Sequence, residues 1–135
     1  MGPNDAQIIR VYTRETGAVI ADFTIDSGKD AEVVVDVEAG LAALGGGGQW
    51  QLGIVIKDLV NGNVIAFTTP PPVNGNLGAA PWSAQDETFA WTVPSANLTG
   101  SKGDLCQVYA YLLLGNGLTP YYASFAESPV FLVLP

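Results

Sequence analysis

Carboxylates are the main reactive groups this chain offers, and imidazole is missing from it. It carries 13 Asp and Glu residues, one cysteine and no histidine. Losing histidine removes the usual general base near neutral pH, the Ser-His-Asp and Cys-His nucleophile arrangements, and most transition-metal sites. Two carboxylates can still hydrolyse a glycosidic bond, one as acid and the other as base or nucleophile. Here the acids fall singly on outward strand positions or in turns, which is the pattern of a solvated face. An acid-catalysed hydrolase therefore ranks last, and no catalytic residue is assigned.

The densest acidic group is Asp22, Asp26, Asp30, Glu32, Asp36 and Glu38. Clustered oxygen ligands suit Ca2+, but Lys29 interrupts the 26–32 segment and the EF-hand spacing is absent. Gly45 to Gly48 are followed by Gln49 and Trp50 rather than Lys-Ser/Thr, so the run is a link and not a phosphate loop. Neither a metal nor a cofactor is expected. Cys106 alternates with Val108, Ala110 and Leu112, the position of a small buried hydrophobe, and cannot form an internal disulfide.

Aromatic residues are the better candidates for recognition. Trp82 lies in a Pro- and Gly-rich stretch, and Tyr121 and Tyr122 follow a turn. Exposed rings at these three positions would dock a protein or stack on a sugar. For Trp82 the favoured reading is that it folds back as the anchor of its own loop, and Trp50, Phe89 and Trp91 belong to the core.

Charge narrows the partners. The net charge is −8, and the basic residues Arg10, Arg14, Lys29, Lys57 and Lys102 are scattered. Phosphate binding needs clustered cations, so nucleic acid is excluded, as is attraction to an anionic membrane. The longest apolar run, 108–114, is too short to span a bilayer, and no N-terminal signal segment is evident. A soluble chain is expected, in no particular compartment.

The elements that must position these residues are strands. With 48% hydrophobic and 13% charged residues, the chain can bury a core without disulfides. Trp50, Leu52, Ile54 and Ile56 alternate along one face, and Asn61-Gly62 supplies a tight type I′ turn into residues 64–69. A central hairpin is the firmest expectation. Before it, 7–12 and 18–25 are strands that pair, the second with Val19, Phe23 and Ile25 on one face. Residues 31–38 alternate with Val33, Val35 and Val37 inward and Glu32, Asp36 and Glu38 outward, which marks one wet face. Residues 38–44 form a turn or two of helix, stopped by the glycines. Three prolines at 70–72 open a long connection that ends near residue 87, and such loops are commonly functional. Residues 88–93 are a strand with Phe89, Trp91 and Val93 on one side. Residues 105–114 are apolar on both faces, which predicts a central strand and more covered surface than one sandwich supplies. Residues 121–125 and 129–134 close the chain, with a bulge or kink at 127–129.

Short strands at regular spacing predict an all-β, two-sheet antiparallel β-sandwich of about seven to nine strands, one domain over residues 1–135. Leu98, Gly100, the 105–111 strand, the Gly115-Asn116-Gly117 turn and the 126–130 segment resemble the closing E, F and G strands of a fibronectin type III or related immunoglobulin-like domain. That resemblance covers the C-terminal third. It implies an immunoglobulin-like sandwich serving as a binding or spacer module. The leading expectation is thus a non-catalytic module for protein–protein interaction or self-assembly, with homo-oligomerisation plausible. The alternative is a carbohydrate-binding module using the aromatic residues of the 70–82 and 118–122 loops.

Overall fold

The computed structural model describes residues 5–16, 21–65, 73–116 and 119–135, with the backbone alone at 116 and 119–121. In chain order the elements are β1 (Ala6–Glu15), β2 (Thr24–Asp26), β3 (Ala31–Ala39), α1 (Leu41–Gly46), β4 (Gln49–Asp58) and β5 (Val73–Asn76). There follow β6 (Asp86–Val93), α2 (Ser95–Leu98), a 3-10 turn (Thr99–Ser101), β7 (Leu105–Asn116), β8 (Thr119–Glu127) and β9 (Phe131–Leu134). The fold is all-β. One sheet has three strands in the order β1-β3-β6; the other has six in the order β2-β9-β7-β4-β5, with β8 paired to β7.

Period-two patterning explains the two layers. Val33, Val35 and Val37 of β3, with Val11 of β1 and Phe89, Trp91 and Val93 of β6, are buried on one side of the small sheet. Trp50, Leu52 and Ile56 of β4 and Cys106, Val108, Ala110, Leu112 and Leu114 of β7 are buried on one side of the large sheet. Both sets join a single contiguous core, consistent with the expected sandwich. Burying each Leu or Val fully contributes about 1.5–3 kcal/mol, so these strands hold register through their inward residues.

β7 is central, as its apolar character predicted. It pairs with β4 along Leu105's neighbours from Cys106 to Gly115, and on its other edge with β8 from Tyr109 and with β9 at Leu105 and Cys106. The hand-over occurs at the expected kink. Ser128 is buried; its Oγ accepts from the Val108 amide at 2.9 Å and donates to the Pro129 carbonyl at 2.8 Å. One hydroxyl thereby serves both the Val108 amide and the Pro129 carbonyl where the ladder changes partner.

Three expectations need correction. The chain does turn back after β4, with Lys57 bridging Val64 and the Ile65 amide bonding the Ile56 carbonyl. The turn, however, is not the two-residue type I′ form. Gly62 has φ +78°, but among the described residues none other than glycine has positive φ. Instead Asp58 Oδ1 accepts from the amides of Val60 and Asn61, at 2.9 and 3.2 Å, and opens the loop to residues 59–62. Residues 66–69 lie outside the described residues.

Second, the strand expected over 18–25 is reduced to β2, and residues 17–20 lie outside the described residues. Asp22 still bonds back to Thr13, but Thr24–Asp26 crosses to the large sheet and runs parallel to β9. That crossing leaves Phe23 60% exposed while Ile25 is buried. Third, the 70–82 connection is partly sheet, because β5 pairs with the start of β4. The helix α1 begins three residues later than expected and ends at Gly47, whose φ of +66° caps it.

Candidate functional site

The three aromatic candidates do not come together. Trp82 is fully buried. Its ring meets Trp50 edge-on at 5.4 Å between centroids and Phe89 at 6.2 Å, and Trp50 meets Phe89 at 5.3 Å. The turn that carries it is tied by the Trp82 amide to the Ala79 carbonyl and by the Gly78 amide to the Trp82 carbonyl. Gly78 has φ +88°, and a Cβ there would strike the Leu44 carbonyl, so α1 and this turn meet at backbone distance. Trp82 therefore pins its loop to the core and has no ring face to offer a ligand. Tyr122 lies on the inward-facing side of β8, opposite Leu114, and is 37% exposed at the sheet margin. The Tyr121 side chain lies outside the described residues.

A surface that the aromatic search passed over is better formed. The registers of β4, β7 and β8 place side chains of one parity on the outer face of the large sheet. Across the strands the rows read Gln51–Leu113–Ala123, Gly53–Tyr111–Phe125, Val55–Tyr109–Glu127 and Lys57–Gln107. Phe125 is 75% exposed, Val55 is 39% exposed, and Tyr109, Tyr111 and Leu113 are half-buried. A Cβ on Gly53 would run into the Tyr111 ring, so the ring lies across the bare backbone of β4. Glutamines fix the ring edges: Gln51 Nε2 donates to the Tyr111 hydroxyl at 3.4 Å, and the Tyr109 hydroxyl donates to Gln107 Oε1 at 3.1 Å. Gln107 is itself held by the Ser128 carbonyl at 2.8 Å and Glu127 at 3.3 Å. The result is a pre-ordered aromatic and aliphatic surface with a polar rim, the composition of an interface centre. Its sequence signal was the 105–114 strand, apolar on both faces.

The acids hold a second surprise, because they do not all stand singly. Asp58 at the end of β4 is fully buried and bonds Asp104 and Ser101 in the connection before β7. Burial alone would raise the Asp58 pKa. Hydrogen bonds from Asp104, Ser101 and the Val60 and Asn61 amides outweigh it and hold Asp58 below its ordinary value. Asp104 is raised by its hydrogen bond to Asp58, then by burial and by the Asp58 charge. The opposite shifts mean that when the pair holds a single proton it sits on Asp104. Asp58 Oδ1 caps two turn amides and Oδ2 accepts from Asn61 Nδ2 at 3.1 Å, so both its oxygens serve the loop. Cys106, opposite Asp58, is pushed up to about 11 by burial and then by the two neighbouring acids. A thiol held protonated in this way is inert. This cluster is a joint between the end of β4 and the entry to β7.

Comparison with known proteins leaves the surface to speak for itself. No protein-family model and no curated protein matches the chain. Among the described residues no group of three or more metal-ligating side chains gathers, and no helix is long and apolar enough to cross a membrane. The acidic residues of the 22–38 stretch are dispersed instead. Glu32 and Asp36 pair with Arg14 and Arg10 on the outer face of the small sheet, while Asp26 accepts from the Gly28 amide within its own turn.

Proposed function

We propose that the chain is a non-catalytic, immunoglobulin-like β-sandwich that binds a protein partner or a second copy of itself through the outer face of its large sheet. The observation that carries this reading is the exposed Val55, Tyr109, Tyr111, Leu113 and Phe125 surface, ordered by Gln51 and Gln107. Strand order supports the fold assignment. With β1, β3 and β6 as strands A, B and E, the strands β4, β5, β7 and β8 fall at C, C′, F and G. The parallel β2–β9 pairing then joins the chain just after the first strand to the last strand, within the large sheet.

The tyrosine that usually stands near the start of strand F is replaced here by Leu105 or Cys106. That tyrosine ties the E–F connection back to the sheet. In this chain Asp58, Ser101 and Asp104 make the equivalent tie at the same corner.

The test is a pair of variants compared by co-purification and thermal melting. Tyr111→Ala combined with Phe125→Ser should abolish protein association and leave the melting midpoint within a few degrees. Arg14→Ala, on the other outer face, should leave association intact. Association that survives the first variant and fails with the second would refute the assignment. A carbohydrate ligand has one observation in its favour, the Tyr111 ring lying over Gly53 beside the Gln51 amide. Aromatic planes with adjacent amides suit sugar stacking. Glycan-array binding lost on Tyr111→Ala would favour that reading over a protein partner.

A further inference from the structure

Charge points to the occupant of the large-sheet face. The chain carries −8, yet the four rows of this face contain one cation, Lys57, and one anion, Glu127. Any two copies of an acidic chain repel, and this neutral patch is where they can approach with the smallest electrostatic cost. The two charges are also placed for reciprocity. Lys57 flanks the face on β4 and Glu127 flanks it on β8, one row apart at the same end, with β7 running between them.

Resting on the reading of this face as the interaction surface, we infer that the partner is a second copy of this chain, packed face to face about a two-fold axis running along β7. Such an axis lays β4 of one protomer over β8 of the other. Lys57 of each protomer then lies one row from Glu127 of its partner, within reach of its long side chain, so the ion pair forms twice. Val55 comes down near Phe125, and the β7 residues Tyr109, Tyr111 and Leu113 meet their own counterparts. That is the self-complementary contact a two-fold dimer requires. Two sheets packed in this way lie about 10 Å apart with strands within about 30° of each other, leaving room for the interdigitating rings. Three strands roughly 5 Å apart and about seven residues long span on the order of 15 by 25 Å, below the ~800 Å² per partner of stable complexes. The dimer is accordingly reversible, and its population depends on concentration. A strongly basic partner would find a single acid, Glu127, on this face to meet.

Sedimentation equilibrium across protein concentrations from about 1 µM to about 1 mM tests the proposal. The expected result is a monomer–dimer equilibrium. Lys57→Glu and Glu127→Lys should each weaken it by about tenfold, through two like-charge contacts per dimer. The double exchange, K57E with E127K, should restore it, and circular dichroism should show all three variants folded. A monomer at every concentration would overturn the self-association while leaving co-purification to decide whether another protein uses the face. A dimer whose affinity the double exchange fails to restore would overturn the two-fold arrangement.

Discussion

The two sheets have similar inner faces and opposite outer ones. On the small sheet the outer face is laced with charge. Arg14 Nε donates to Glu32 Oε1 at 2.7 Å, and Arg10 lies 3.7 Å from Asp36 and 4.0 Å from the centre of the Tyr12 ring. Thr88 Oγ1 donates to the same Asp36 at 2.8 Å. Even Val34, on this outer side, is buried, flanked by Tyr12 on one neighbouring strand and Ala90 on the other. The large sheet has no such lattice. Its outer face presents Phe125, Tyr111, Tyr109 and Val55 with hydrogen bonds only around the margin. One face satisfies its charges within itself, and the other leaves apolar side chains exposed.

The largest expected effect separates the core from both faces. Trp82→Ala should lower stability by about 3–5 kcal/mol, since it empties a buried aromatic site beneath α1 and β6. A denaturant titration measures it, and a loss below ~1 kcal/mol would return Trp82 to the list of surface residues.

Next comes the corner that joins β4 to β7. The Asp104 proton contributes stability that is full below its ordinary value of 3.8 and is lost as pH rises through its raised pKa. The Asp58 charge contributes stability that is full above 3.8 and is lost as pH falls through its lowered pKa. The joint is tightest between those two pKa values and looser above the raised Asp104 pKa, where a second charge develops. Asp104→Asn keeps a donor toward Asp58 at every pH. Its melting midpoint should exceed that of the parent at pH values above the raised Asp104 pKa, and the advantage should disappear in acid. An equal shift at both pH values would mean that the pair shares no proton.

The smallest effects concern the faces themselves. Arg14→Ala removes a partly exposed ion pair and should cost about 0.5–1 kcal/mol, whereas Phe125→Ser should change stability by less than about 0.5 kcal/mol. If Phe125→Ser proves more costly than Arg14→Ala in the isolated protomer, the large-sheet face is structural rather than available.

How much of this was legible in the sequence follows from which forces are local. The alternation of Val33, Val35 and Val37 with Glu32, Asp36 and Glu38 was readable because one wet face enforces period two. The two-sided apolar character of 105–114 marked both the centre of a sheet and an outer surface in need of cover. The turn type after β4 was not readable, because the Asp58 side chain captures two amides that Asn61-Gly62 would otherwise leave to a tighter turn. Trp82 was readable as the anchor of its own loop, but its anchor points, Trp50 and Phe89, lie on other strands and were not. The Asp58–Asp104 contact was equally hidden. It exists only because Asp58 pairs across to Cys106, two residues beyond Asp104.

Tyr109, Tyr111 and Phe125 escaped notice for a related reason. Each is an ordinary strand aromatic in sequence, and only the registers of β4, β7 and β8 put them on one face.

A dilution series followed by amide NMR tests the central claim most directly. Residues on β4, β7 and β8, with Val55, Tyr111, Phe125, Lys57 and Glu127 foremost, should shift with protein concentration. Residues around Arg10, Arg14, Glu32 and Asp36 should stay still. Concentration-dependent shifts centred on that charged face, with the large-sheet face unmoved, would contradict the account.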